Sequence, residues 1–278
     1  METVIKGFKT NRAFAITSVL VFVLVVIAFS ASLIAPYDPA FANMTDAFME
    51  PCSKHLFGTD KLGRDCLSRV LYGARASLSG VLILVSCVFL VGTTMGVLSG
   101  YYGGKVDMVI MRISDIMISF PGMILAIAIA GIMGGSLVNA IIALTIVSWT
   151  KYARLARSMV LKIRRRDFVD AAIINGGTST HILWVHILPN ILPLMVITAA
   201  SDIGALMMEL AGLSFLGYGS QPPTPEWGLM LNEGRQQLQT APWLMMFPGL
   251  SIFLTVVVFN LWGDNLRDVL DPRNDVKD

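Results

Sequence analysis

Long runs without a charged side chain limit what this chain can fold into more than any other feature. Ala13–Ala35 is 23 residues free of charge; at about 1.5 Å per residue it reaches about 34 Å, enough for a hydrocarbon core of about 30 Å. Ala76–Gly104 is likewise uncharged, and so are the 35 residues Ile116–Thr150, whose Met133-Gly134-Gly135-Ser136 break predicts two helices joined by a tight turn. Pro189–Phe215, despite Asp202 and Glu209 within it, and Ala241–Gly263 add two more. The expected fold is all-α and polytopic, with about six transmembrane helices. Charged residues make up only 14% of the 278, against about 25% in soluble domains, which excludes a disordered chain and an ordinary soluble enzyme.

Lys6, Lys9 and Arg12 precede the first run as in a signal peptide, but the run is longer than the roughly 7–15 residues such peptides use, so it reads as an uncleaved anchor. With both termini inside, 15 of the 21 basic residues fall on inner segments. The positive-inside rule then places the termini and the 151–188 connection in the cytoplasm, and 36–75 and 216–240 outside. Residues 1–75 read as anchor plus external segment and 76–278 as the core transmembrane domain, the 151–188 connection included. Gly92, Gly96 and Gly100 recur every four residues, a bare helix face that admits close approach of another helix. The net charge of +2 makes no case for nucleic acid. Cys52, Cys66 and Cys87 have no zinc spacing.

No Gly-x-x-x-x-Gly-Lys-Ser/Thr loop is present, since Gly103-Gly104-Lys105 is followed by Val106. Nor does the chain carry His-Glu-x-x-His, Gly-x-Ser-x-Gly or a metal-ligand cluster. His181 and His186, five apart, would point about 140° away from each other on an α-helix, which disfavours joint metal binding.

The 151–188 segment exceeds what a simple return across the membrane requires. Its Lys151, Arg154, Arg157, Lys162 and Arg164–Arg166 suit topology and anionic lipid. The remainder of the segment, Asp167-Phe168-Val169-Asp170-Ala171-Ala172, Asn175-Gly176-Gly177-Thr178 and His181 through Pro189, predicts a helix, a glycine turn with positive φ, and a second helix capped by Thr178: a knob on the cytoplasmic side. Asp170-Ala171-Ala172-x-x-x-Gly176 ending in His186-Ile187-Leu188-Pro189 resembles the Glu-Ala-Ala loop of permease subunits of binding-protein-dependent ATP-binding-cassette importers, with Asp170 where that family usually has Glu.

Further blocks are similar to the dipeptide, oligopeptide and nickel branch of that family. They are Phe57–Asp65, Ser68-Arg69, Tyr72–Leu78, Ser214–Gly219, Pro225-Glu226-Trp227-Gly228 and Gly263–Arg273. Asp202-Ile203-Gly204, Met207-Met208 and Ala211-Gly212 look slightly closer to nickel permeases than to peptide ones. The resemblance implies a type I importer permease in a bacterial or archaeal cytoplasmic membrane. Its implied partners are a second related permease, two ATPase subunits that hold ATP and Mg, and an extracytoplasmic binding protein; this chain itself would carry no cofactor and no metal and would catalyse nothing. Phe168, Asp170, Ala171, Ala172, Gly176, Gly177, His186 and Pro189 would then form the coupling knob that docks on an ATPase.

Asp202 and Glu209, seven residues apart, share one helix stripe about 20 and 30 Å above Pro189. A carboxylate at that depth is costly in lipid, so the stripe faces protein or a water-filled path. Two roles are open: contact with the translocating solute, together with Met208, or structural pairing with Arg or backbone donors. Outside, Gly58, Asp60, Arg64, Asp65, Glu226 and Trp227 are candidates for receiving the binding protein, through fixed turns with exposed charge, or for plugging the outer mouth. The competing function is a secondary transporter or channel, which would need no ATPase-docking knob.

Overall fold

The computed structural model describes residues 11–270. Lys6 and Lys9 of the basic N-terminus, and Asp271-Pro272-Arg273 at the end of the tail motif, lie outside the described residues. Helix α1 (Arg12–Phe29) starts where the Asn11 side chain accepts a hydrogen bond from the Phe14 amide, 3.1 Å away. After the external segment, α2 (Cys66–Tyr102) runs 37 residues from its Asp65 cap, so the expected boundary between 75 and 76 falls inside one continuous helix. Then come α3 (Gly104–Ser119), α4 (Gly122–Met133), α5 (Leu137–Ile163), α6 (Asp167–Ile174), α7 (Leu188–Phe215), α8 (Trp227–Gly234) and α9 (Trp243–Leu270).

Four helices are long and apolar enough to cross a bilayer: α1, α2, the continuous stretch Ser179–Phe215 that contains α7, and α9. The pair α3 and α4 qualifies jointly but bends by 96° at Phe120-Pro121, where proline excludes the residue before it from helical geometry. Among the described residues that brings the number to five at most by length and apolarity. The sixth expected crossing falls on α5, whose first half is the apolar run that ends at Thr150. The helix continues through Lys151, Arg154 and Arg157 to Ile163, so the connection that follows begins about 20 Å later along the helix than the charges suggest. The turn between α4 and α5 is where the sequence predicts it, with Gly134 at φ 87°.

The three-glycine face of α2 lies flat on α5. A methyl on Gly92 would strike Tyr152 and the Trp149 carbonyl, one on Gly96 would strike Ala153 and Ala156, and one on Gly100 would strike Val160. The charged half of α5 is held to α3: Arg157 meets Asp107 at 2.5 Å and Arg154 meets Asp115 at 2.7 Å. Helix α7 packs on α9 through Gly204 against Asn260 and Gly263 against Ser201. The anchor α1 rests on α9, where the Trp262 indole donates to Ser18 Oγ at 3.1 Å.

Candidate functional site

The knob takes the predicted form. Asp167 and Asp170 occupy the first turn of α6, where negative charge suits the helix dipole. Gly176, at φ 79°, provides the left-handed residue that ends the helix, and the Gly177 amide donates to the Ala172 carbonyl at 2.9 Å. Thr178 Oγ1 accepts from the His181 amide at 3.3 Å and starts the next turn. Val169 is fully buried and pins α6 to the body, while Asp170, Ala171 and Gly176 are exposed. Phe168, Ile173 and Ile174 stand out in solvent, Ile174 with 84% of its surface exposed.

The knob joins the membrane helix α7 through a π-helical turn, Ile182–Ile187. It ends just before Pro189, whose ring cannot sit against the carbonyl four residues earlier in a regular α-helix. This turn corrects the expected geometry of the two histidines. The wider π spacing places residues five apart on one face, and the rings of His181 and His186 meet edge to face with centroids 5.8 Å apart. Phe168 lies 6.1 Å from His186, so the base of the knob is closed by three rings. Pro189 sits at the start of α7, and His186 is half-buried.

Asp202 and Glu209 line one cavity of about 210 Å³ with Ser148, Thr150, Lys151, Tyr152, Ala205 and Leu206. Lys151 Nζ reaches both oxygens of Asp202, at 2.7 and 2.8 Å. Asp202 is thirteen residues from Pro189 and Lys151 twelve from Ile163, so both sit about 18–20 Å above the inner helix ends. The expected structural partner is therefore a lysine, and one that the charge pattern assigns to the cytoplasm. The Lys151 side chain remains 63% exposed, so the pair adds at most about 1 kcal/mol to stability and is free to exchange. Met208 is not in this chamber. It lines a separate apolar cavity of about 560 Å³ between α7 and α9, with Phe215, Leu231, Met245 and Ile252. Sequence reasoning missed Lys151 and Tyr152 as site residues, although Lys151, Arg154 and Arg157 at spacings of three signal that the helix continues.

In the 36–75 and 216–240 segments the expected exposed charge is buried. Asp60, Arg64, Asp65, Glu226 and Trp227 each keep under one-tenth of their surface. Asp60 accepts from Arg64 Nε at 2.6 Å and from Arg69, and Glu233 of α8 accepts from Arg69 at 2.6 Å and from Arg64 at 3.2 Å. Asp65 caps α2 through the Ser68 amide at 2.8 Å and lies 2.9 Å from His55 Nδ1. Glu226 caps α8 by accepting from the Gly228 and Leu229 amides, both at 2.9 Å, and the Trp227 indole donates to the Val70 carbonyl at 2.9 Å. Gly58, at φ 71°, leaves room only for hydrogen beside Trp243. These six residues lock the external segment onto α2, α8 and α9 and are not themselves a charged surface. At the rim, the hydrogen bond from Lys54 to Asp46, 2.8 Å long, holds the Asp46 carboxyl below its ordinary range.

Residues 92–276 match the family described as "Binding-protein-dependent transport system inner membrane component". The chain is 43% identical over 268 residues to the dipeptide transport system permease protein DppC of Alkalihalophilus pseudofirmus, covering 96% of this chain and 88% of that one. It is 44% identical over 269 residues to the glutathione transport system permease protein GsiD of Pectobacterium atrosepticum (96% and 89%). To the nickel transport system permease protein NikC of Escherichia coli K12 it is 39% identical over 255 residues (92% of each). In fold it is similar to a chain of the inward-facing MetNI methionine ABC transporter, with a TM-score of 0.59, 21% identity, and coverage of 73% of this chain and 97% of that one. A multi-pass helical body with an apolar knob on one end and no nucleotide-binding loop in its sequence thus coincides with a family match over most of its length, and the chain belongs to the inner-membrane permeases of binding-protein-dependent transport systems.

Proposed function

We propose that this chain forms half of the translocation pathway of an ATP-driven importer, paired with a second related permease and worked by two separate ATPase subunits that hold ATP and Mg. The knob carries this reading. Phe168, Ile173 and Ile174 offer an apolar docking face, and the capped turn at Gly176–Thr178 and the π turn join it without a loop to α7, which carries Asp202 at mid-membrane. An ATPase closing on the knob would tilt α7 and move the chamber between inward and outward access. Shifting a two-state gate from 1:99 to 99:1 takes about 5.5 kcal/mol of differential binding, which nucleotide-driven closure supplies more readily than a small solute does. Both termini and the knob face the cytoplasm of a bacterial or archaeal cell, as Lys162 and the run Arg164–Arg166 beside the knob support.

The cargo is a small polar solute handed over by an extracytoplasmic binding protein; relatives named for dipeptide, glutathione and nickel transport stand at 39–44% identity. The binding protein meets the exposed rim of the external cap, where Phe41, Met44 and Leu56 protrude, while Gly58, Asp60, Arg64, Asp65, Glu226 and Trp227 hold that rim in shape. Gly176→Trp tests the coupling role. The site is open, with no atom within 4 Å of an added Cβ, and the left-handed backbone costs only about 1–2 kcal/mol. The variant should insert and fold but lose ATP-driven uptake in proteoliposomes; wild-type uptake would refute the coupling role. Uptake by this chain alone under an ion gradient would point to a secondary transporter.

A further inference from the structure

Three of the cations on α5 are each matched by an aspartate: Lys151 by Asp202, Arg154 by Asp115 and Arg157 by Asp107. Arg164, which caps the end of the same helix, is exposed and has no ion pair among the described residues. Its guanidinium stands 5.6 Å from the centre of the Tyr101 ring, a contact that fixes the charge in place and leaves its hydrogen-bond donors free. On α2, Val97 precedes Tyr101 by four residues and Leu98 precedes Tyr102 by four, so each pair shares a face, about 6 Å apart along the helix. Thr94, Val97 and Leu98 form one wall of a cavity of about 190 Å³, and Leu183, Trp184 and Leu188, from the π turn and the start of α7, form the other. Trp184 keeps 66% of its surface exposed, and Leu90, one turn before Thr94, is exposed too, as is Tyr102.

From this arrangement we infer that the groove between α2 and the π turn seats an anionic phospholipid of the leaflet on the knob side, with one acyl chain in the cavity and the phosphate on Arg164. The parts stand in the order that such a lipid needs. An apolar groove comes first, then the aromatic rim of Tyr101, Tyr102 and Trp184, then a fixed and unpaired cation, as from the tail of a lipid to its headgroup. The chain continues from the cavity along Leu90, on the stripe that Thr94 and Leu98 share with it at four-residue spacing. A zwitterionic phospholipid would fill the groove equally well but would bring its own ammonium to Arg164, so the charge selects an anionic headgroup such as phosphatidylglycerol. Because one wall belongs to the π turn and to the first residue of α7, the lipid bridges α2 and the joint between the knob and α7.

The test uses the assembled complex in liposomes that contain phosphatidylglycerol with a photoreactive diazirine on one acyl chain; after illumination, adducts are mapped by peptide mass spectrometry. Adducts should concentrate on residues 90–98 and 183–188. Unlabelled phosphatidylglycerol should displace the probe about fivefold more effectively than phosphatidylcholine does, the preference expected of one arginine beside an anionic headgroup. Arg164→Gln should abolish that preference and Arg164→Lys should retain it, which separates loss of charge from misfolding. Leu98→Trp, which fills the groove, should remove the adducts on 183–188. Adducts spread evenly over the exposed helices overturn the inference. So does their absence from both segments, which would mean that another subunit covers the groove, and so does a headgroup preference that survives Arg164→Gln.

Discussion

The cap formed by the 36–75 and 216–240 segments and the knob are built on opposite plans, although both read in sequence as surfaces for partners. In the cap, Asp60, Arg64, Arg69 and Glu233 form a closed set of two acids and two bases, mutually paired, the first three buried and Glu233 partly so. In the knob, charge is exposed and the side chains that protrude farthest are apolar, Ile174 above all; the shape comes from caps and a glycine turn. The cap is a rigid lid braced across distant parts of the chain. The knob is a handle, locally shaped and left open for something else to grip.

That contrast breaks if the two ends respond alike to mutation. The largest effect on stability belongs to the cap: Arg69→Met leaves Asp60 and Glu233 short of a partner, and breaking a buried ion network of this kind costs about 3–5 kcal/mol. It should appear as a marked drop in melting temperature of the detergent-solubilised protein. Gly176→Trp should lower the same melting temperature only slightly while abolishing uptake. A knob variant as destabilising as Arg69→Met would mean that the handle is part of the packed body.

The smallest expected effect sharpens the picture of the rim. Because Lys54 holds the Asp46 carboxyl below its ordinary range, that contact stabilises the cap above the unfolded value, near pH ~4, and is lost as pH falls through the depressed folded value. Limited proteolysis of the external segment should therefore accelerate only on the acid side, and Asp46→Asn should remove that dependence. Lys54 keeps 54% of its side-chain surface in solvent, which screens the pair, so the change in global stability should be negligible.

Features set by neighbouring residues are legible in sequence. The Gly92, Gly96 and Gly100 face, the Gly134 turn, the Gly176 left-handed cap and the Thr178 helix start follow from local backbone requirements, and each stands where the sequence places it. Features made by remote pairing are not. Lys151, Arg154 and Arg157 read as a cytoplasmic loop because their partners Asp202, Asp115 and Asp107 lie 39–51 residues away. Asp60 and Arg64 read as exposed because Glu233 closes their network from 169 residues beyond Arg64. The π turn is invisible for another reason: nothing in composition tells a five-residue hydrogen-bond step from a four-residue one, so α-helical spacing sets the two histidine rings apart while the structure brings them together.

The central claim is that the knob is gripped by a separate ATPase, and proximity tests it most directly. With Ile174→Cys in the reconstituted complex, a short bifunctional thiol cross-linker should join this chain to the ATPase subunit, with a yield that changes when ATP is added. No cross-linked product in either nucleotide state, in a complex that still imports solute, would contradict the account.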